Sequence, residues 1–316
     1  MIDLTKKIQD IQQSPDADKY SEEGIERLKE QLKNYEGEDK LVWWDEIRER
    51  LKNQPIKPLH KTGITSLDNV IGGFREKQLI IIAGDSGHGK SLIGMNLLHC
   101  MKELNPVMIP LEQSAEELIE QRMGNNFEVP NILSPDNLAT AVTTAWIEER
   151  VVEGISKYNT KLVLIDHLGY IDNLGENGKN KRENLAYRVG EVMRELKGIA
   201  KRWNVIVLVL VHISQHDESN PPSRKDIKNS SDVIQESDIG MFIWRKNSLQ
   251  KKIRVYDDRT LISVQKNRRT GKNETIGLSF DSTTGWFKED NDWVEAMEKS
   301  AQMAVKAEDE QENWDF

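Results

Sequence analysis

The chain has 316 residues, with 44 Lys and Arg against 53 Asp and Glu, a formal net charge of −9. Hydrophobic residues make up 37% and charged residues 31%, enough apolar content for one large α/β domain or two small ones. No run approaches the roughly eighteen apolar residues of a membrane span. The start, MIDLTKKIQDIQQ, lacks the apolar core of a signal peptide, and the single Cys100 excludes an intramolecular disulfide or a Cys-cluster metal site. A cytoplasmic protein with no membrane partner is the expectation.

The charge is uneven. Residues 288–316 hold ten acidic and three basic residues, whereas residues 245–272 hold ten basic and two acidic ones. A basic strip and an acidic tail are therefore separate features.

In chain order, the first elements are two amphipathic helices. Ile25, Leu28, Leu32 and Tyr35 share one helical face, and Leu41, Trp44, Ile47 and Leu51 form a second stripe that ends before Pro55 and Pro58. Either stripe packs on its own domain or docks on a neighbouring subunit. From Gly63 onward, strand-like runs at Leu79–Ala83, Pro106–Leu111, Lys161–Ile165, Val205–Val211, Ile239–Trp244 and Leu261–Gln265 alternate with helical patterns near 90–103, 115–124, 139–157 and 182–203. That alternation predicts βαβ units and a mainly parallel sheet flanked by helices. The last two strands follow each other without a helix, which predicts an antiparallel edge.

The strongest motif is Gly84-Asp85-Ser86-Gly87-His88-Gly89-Lys90-Ser91, a full G-x-x-x-x-G-K-[ST] pattern between a buried strand and a helix. Its glycines let backbone N–H groups wrap the phosphates of ATP or another NTP, and the helix N-terminus adds positive potential. Lys90 is expected to reach the β- and γ-phosphates and Ser91 to ligate Mg²⁺. The strand in KLVLIDHLGYID ends at Asp166, the expected second Mg²⁺-side residue. His167 follows it where many NTPases carry a glutamate, so the base must come from elsewhere. Glu112 ends the run VMIPLE. Taken alone it is open between a water-activating base and an ordinary strand-end carboxylate.

The series TGITSLDNVIGGF, GDSGHGKS, PLEQSAEELIEQR and LVLIDHLGYID resembles the RecA-like core of DnaB-type hexameric replicative helicases. Thr62, Gly63, Leu67, Asp68, Gly72 and Gly73 match the family's leader ahead of the phosphate loop. SVQKNRRTGKNETIGLSFDSTTGWF is similar to its later K-x-R…TG…F-D stretch. The likeness spans about residues 60–287. It implies a RecA-like P-loop fold and supports Glu112 as the catalytic base. It implies that Arg268 is an arginine finger reaching a neighbour's γ-phosphate, with Lys266 beside it. It places His212, or nearby Gln215, at the γ-phosphate sensor position; a His there looks more like the primase-helicases of short-tailed phages. It also implies that Arg245 and Phe280 sandwich the nucleotide base. Two features depart from the pattern. About sixty residues ahead of the core are too few for a primase domain or the full helical N-terminal domain. Pro110, just before Glu112, favours an edge or bulged strand.

The resemblance divides the chain into a helical extension or linker over 1–58, a RecA-like NTPase domain over 59–287 and an acidic, flexible tail over 288–316. Segments 177–182 and 217–229 match the family's DNA loops at strand ends on the nucleotide side, with Arg224, Lys225 and Lys228 expected to grip single-stranded DNA phosphates. The expected function is an NTP-driven, ring-forming helicase, a homo-hexamer acting in replication. The alternatives are a RecA- or KaiC-like ATPase that mediates recombination or signals without unwinding, and a nucleotide-binding accessory protein that assembles only. The terminal EDEQENWDF, with Trp314 and Phe316 among acids, is similar to tails that bind replication partners: a polymerase, a primase or a single-strand binding protein.

Overall fold

The computed structural model describes residues 21–37, 40–53, 59–171, 185–213, 217, 219–227, 231–250 and 253–297. Gln215, Lys228, the 177–182 loop and the terminal EDEQENWDF lie outside the described residues. The chain divides into two compact units, residues 1–57 and 58–316.

The first unit holds helices α1 (Glu22–Lys33) and α2 (Trp44–Lys52). Ser21 caps α1 by accepting from the Gly24 N–H at 3.0 Å. The stripe residues Ile25, Leu28, Leu32, Tyr35, Trp44, Ile47 and Leu51 are all exposed.

The second unit is an eight-stranded sheet in the order β2-β3-β4-β1-β5-β6-β7-β8. Its strands are β1 (Leu79–Gly84), β2 (Val107–Pro110), β3 (Leu162–Asp166), β4 (Ile206–His212), β5 (Ile239–Gln250), β6 (Ile253–Asn267), β7 (Thr275–Asp281) and β8 (Trp286–Glu289). The first five in spatial order pair in parallel. β5 through β8 are antiparallel neighbours, as expected for strands joined without helices. The helices are α3 (Thr65–Ile71), α4 (Lys90–Cys100), α5 (Ala115–Gly124), α6 (Thr144–Tyr158), α7 (Leu185–Trp203) and α8 (Ser231–Glu236). Among the described residues, no helix is long and apolar enough to cross a membrane.

A parallel strand covered on both faces must be apolar at every position, and β1 is buried throughout. Leu79, Ile81 and Ala83 enter one core with α6 and α7, whereas Ile80 and Ile82 enter the other with α3 and α4. Pro110 pairs with Asp166 on β2, the outermost strand of the parallel half, where a missing N–H costs no ladder bond.

Three features differ from the sequence reading. α6 starts at Thr144 rather than 139, because Thr143 caps it by accepting from the Trp146 N–H at 3.2 Å. The β5–β6 hairpin is far longer than its apolar cores, and β7 and β8 extend the sheet. The fold also continues past the boundary expected at 287. Helical residues 292–297 follow β8, and Trp293 and Val294 are buried against Trp244 and Leu261.

Candidate active site

The phosphate loop leaves β1 at Gly84, level with His212 on β4. A Cβ on Gly84 would come within 2.6 Å of the Ile243 side chain and 2.8 Å of its carbonyl, so only glycine lets β1 end against β5. Gly87 and Gly89 have φ of 78° and 86°, left-handed values that glycine adopts without strain. Gly89 is the N-cap of α4, so the helix begins directly under the loop. His88 is fully buried and anchors the loop to the hairpin. Its Nδ1 accepts from the Arg245 N–H at 2.9 Å, and its ring meets Tyr256 edge-on at 5.4 Å.

Lys90 is 5% exposed and uses all three ammonium protons. It donates to the carbonyls of Gly84 (3.0 Å) and Asp85 (2.8 Å) and to Nδ1 of His212 (3.2 Å). Burial pushes its pKa down to about 8, against the pull of Asp166, Glu112 and Asp85.

Asp166 ends β3 and is 4% exposed. Burial raises its carboxyl, aided by Glu112, while a hydrogen bond from Ser91 and the Lys90 charge oppose the rise. Its Oδ1 is buried with no hydrogen-bond partner among the described residues. A bare carboxylate oxygen beside a hydroxyl is a hard-oxygen donor pair that fits Mg²⁺.

Glu112 sits two residues beyond β2. The Leu111 and Glu112 N–H groups both donate to the Asp166 carbonyl, at 2.6 and 3.2 Å, so pairing with β3 continues past Pro110. The Glu112 carboxylate thereby reaches the strand-end cluster. Its Oε2 lies 3.5 Å from Nε2 of His212 and 3.7 Å from Nε2 of His167. Burial lowers the pKa of both imidazoles, with the Lys90 charge adding to the shift of His212 and the His212 ring to that of His167, which falls to about 4.

A cleft of about 400 Å³ opens above the loop. Lys90, Ser91, Glu112 and His212 line one part, and Arg122, Phe127 and Phe280 another. Phe280 meets Phe127 and Phe287 edge-on at 6.0 and 5.9 Å. Arg245 does not share this wall. Its Nε donates to the Asp257 carbonyl at 2.6 Å, and its guanidinium lies 5.5 Å over the Tyr256 ring. The expected pair of Arg245 and Phe280 is therefore not brought together around one cleft.

Lys266 and Arg268 lie away from that cleft. Asn267 pairs with Ile239, which pairs with Ile80 near the start of β1. Lys266 is level with Ile81 and Arg268 with Leu79, about three and five steps below Gly84, or roughly 10 and 17 Å along the strand direction. The carbonyl end of α8 holds both cations: Lys266 donates to the Ile234 and Gln235 carbonyls, and Arg268 to the Gln235 carbonyl. Arg268 also lies 3.8 Å from Asp238 and is half exposed. Burial, then the neighbouring Arg268 charge, pushes Lys266 down to about 8.

Arg224 and Lys225 are exposed on a short 3-10 turn, Arg224–Asp226. The Arg224 N–H donates to Gln265 at 3.0 Å, beside Lys266. The segment thus starts from the nucleotide end of β4, and by Arg224 it lies beside the middle of the sheet, next to Lys266.

Sequence reasoning missed His167 as a site member, along with Phe127 and Tyr256. His167 was visible only as the residue after Asp166. The turn MGNNFEVP carries no periodic signal for Phe127.

The model of the DnaB-like helicase C terminal domain matches residues 60–136 and 136–289. The chain belongs to this family. It is 25% identical over 289 residues to the replicative DNA helicase DnaB of Mycoplasma genitalium, covering 77% of this chain and 61% of that one. It is 26% identical over 251 residues to the replicative DNA helicase DnaC of Bacillus subtilis, covering 69% and 54%. The chain thus spans between half and two thirds of the length of these relatives. The fold is similar to a solved ATPase domain, with a TM-score of 0.62, 19% identity and coverage of 78% of this chain and 96% of that one. It is also similar to a DnaB-like replicative helicase studied with primase, at 0.61, 18%, 90% and 74%.

Proposed function

We propose that this chain is an NTP-driven, ring-forming DNA helicase that translocates on single-stranded DNA in replication and hydrolyses NTP at subunit interfaces. The observation that carries the reading is the separation within one subunit. Lys90, Ser91 and Glu112 line one cleft with Asp166 bonded to Ser91 behind them, while Lys266 lies level with the middle of β1 and Arg268 with its start, away from that cleft. A finger so placed serves only a neighbour's cleft, as a head-to-tail ring requires. The exposed stripes of α1 and α2 suit a docking element between subunits.

In this reading Lys90 binds the β- and γ-phosphates, and Ser91 and Asp166 hold Mg²⁺, which neutralises phosphate charge. Glu112 takes the proton of the attacking water, and Phe280 faces the base. Arg224, Lys225 and Lys228 are assigned to DNA phosphates, and the acidic terminus to a primase, polymerase or single-strand binding protein in the cytoplasm.

The test is strand displacement on a forked duplex with ATP and Mg²⁺. The parent chain should unwind it. Glu112→Gln should bind nucleotide with near-parental affinity and lose turnover, because an amide cannot accept the proton. Turnover without unwinding would favour the RecA- or KaiC-like alternative. Parental turnover in Glu112→Gln would remove Glu112 as the base.

A further inference from the structure

Resting on Glu112 as the base, we propose that His167 is the positioning residue that fixes it, by donating its Nε2–H to one carboxylate oxygen and leaving the other free for water.

The tautomers follow from the partners. The Gly169 N–H donates to Nδ1 of His167 at 3.0 Å, and the Lys90 ammonium donates to Nδ1 of His212 at 3.2 Å. An N–H and an ammonium only donate, so both Nδ1 atoms accept. A ring whose Nδ1 accepts carries its proton on Nε2. The rings cross at 77° with centroids 4.1 Å apart, which brings both Nε2 atoms near Oε2 of Glu112. At 3.7 and 3.5 Å these contacts are longer than settled hydrogen bonds. Catalytic bonds of this kind tighten when the reacting groups assemble.

Glu112, His167 and His212 also place three ligand-type atoms within 4.8 Å of one another, the composition of a metal site. A metal would need both Nε2 lone pairs, so each ring would have to release its donor, Gly169 or Lys90. The hydrogen-bond reading requires no such change.

The two histidines differ in freedom. His212 lines the cleft and shares Lys90 with the phosphate loop, so a bound phosphate competes with Glu112 for its N–H. His167 is held by its own turn, Leu168–Tyr170, with a 13% exposed side chain and Tyr170 edge-on at 4.8 Å. A Cβ on Gly169 would come within 2.8 Å of the His167 ring, so glycine makes room for this pose. The Glu112 side chain is 39% exposed and needs an external hold. Once His212 turns away, His167 supplies it.

The experiment compares His167→Leu and His167→Gln with the parent in single-turnover ATP hydrolysis and in binding of a fluorescent ATP analogue. His167→Leu removes the donor and should slow hydrolysis on the order of 10- to 100-fold, as misplacement of a catalytic group does. Nucleotide affinity should stay within about twofold, because His167 touches the base rather than the phosphates. His167→Gln keeps an N–H at a similar reach and should recover most of the rate. In the Glu112→Gln background, His167→Leu should cause no further loss. Parental rate in His167→Leu, equal impairment in both variants, or the same fold-loss without Glu112 would each overturn the positioning role. If Glu112→Gln itself keeps the parental rate, the base assignment fails first and the role of His167 falls with it.

Discussion

Lys266 is a cation whose charge depends on where it is anchored. Burial and Arg268 bring its pKa to about 8 from a free value of 10.5. Below pH 8 it is protonated both folded and unfolded. Between 8 and 10.5 only the unfolded chain holds the proton, so deprotonation relieves an unfavourable buried charge while removing the cation that the proposed function offers to a neighbour. Lys266→Arg keeps that charge at all working pH values. The expected outcome is that the hydrolysis rate of the parent, divided by that of Lys266→Arg, falls as pH rises from 7 to 9. Titration of Lys90 is common to both proteins and cancels in the ratio. A flat ratio would remove the charge of Lys266 from the reaction. Asp166 and His212 draw attention in the sequence because each ends an apolar strand, and Glu112 because it follows one by two residues; strand ends in a parallel sheet face the ligand side. His167 was not legible as a partner of Glu112, because its tautomer depends on a backbone N–H two residues later.

The elements that escaped the sequence share a physical trait. The outer halves of β5 and β6, with Arg245, Lys246, Arg254, Asp257 and Asp258, are polar, so no apolar run marked them. Their pairing holds them instead, and Tyr256 brings this hairpin against His88 in the phosphate loop. Acidic composition likewise hid the end of the domain: Trp293 and Val294 are buried within a stretch that reads as tail. By contrast, Pro110 announced its edge position, because a residue without an N–H suits few sheet positions. Trp293→Ala should destabilise the domain by about 3 kcal/mol, the usual loss for a buried aromatic. A chain ending at residue 287 should melt at lower temperature than the full chain, and one ending at 297 should match it. Equal melting of all three would mean that Trp293 contributes nothing to the fold. At the same scale, Gly84→Ala would press a methyl onto the Ile243 side chain and carbonyl and should lower both the melting temperature and nucleotide affinity.

At the scale of the whole molecule, the proposed function divides the reaction between a cleft at the end of β1 and a finger near its start. The cleft opens at the end of β1, and Arg268 is anchored by the C-terminal carbonyls of α8 at the start of that strand, where Asp238 also faces it. Bringing Arg268 to its own cleft would require unpairing β6 from β5, which is the most extensive strand pairing in the sheet. Hydrolysis should therefore be a property of the interface. Arg268→Ala subunits keep a whole cleft and lack the finger; Lys90→Ala subunits keep the finger and lack the cleft. Each protein alone should be nearly inactive, since fingers contribute on the order of 10³–10⁵ in rate where they have been characterised. In a head-to-tail ring, random mixing joins an intact cleft to an intact finger at about one interface in four. Mixed rings should recover a corresponding share of DNA-stimulated hydrolysis, and the recovery should depend on mixing before assembly. Removing residues 1–55 should reduce it further if the exposed stripes of α1 and α2 hold neighbours together, as sizing with and without nucleotide would show. Mixed rings that form yet stay inactive would place Arg268 outside the reaction and leave the cleft to be completed by another residue.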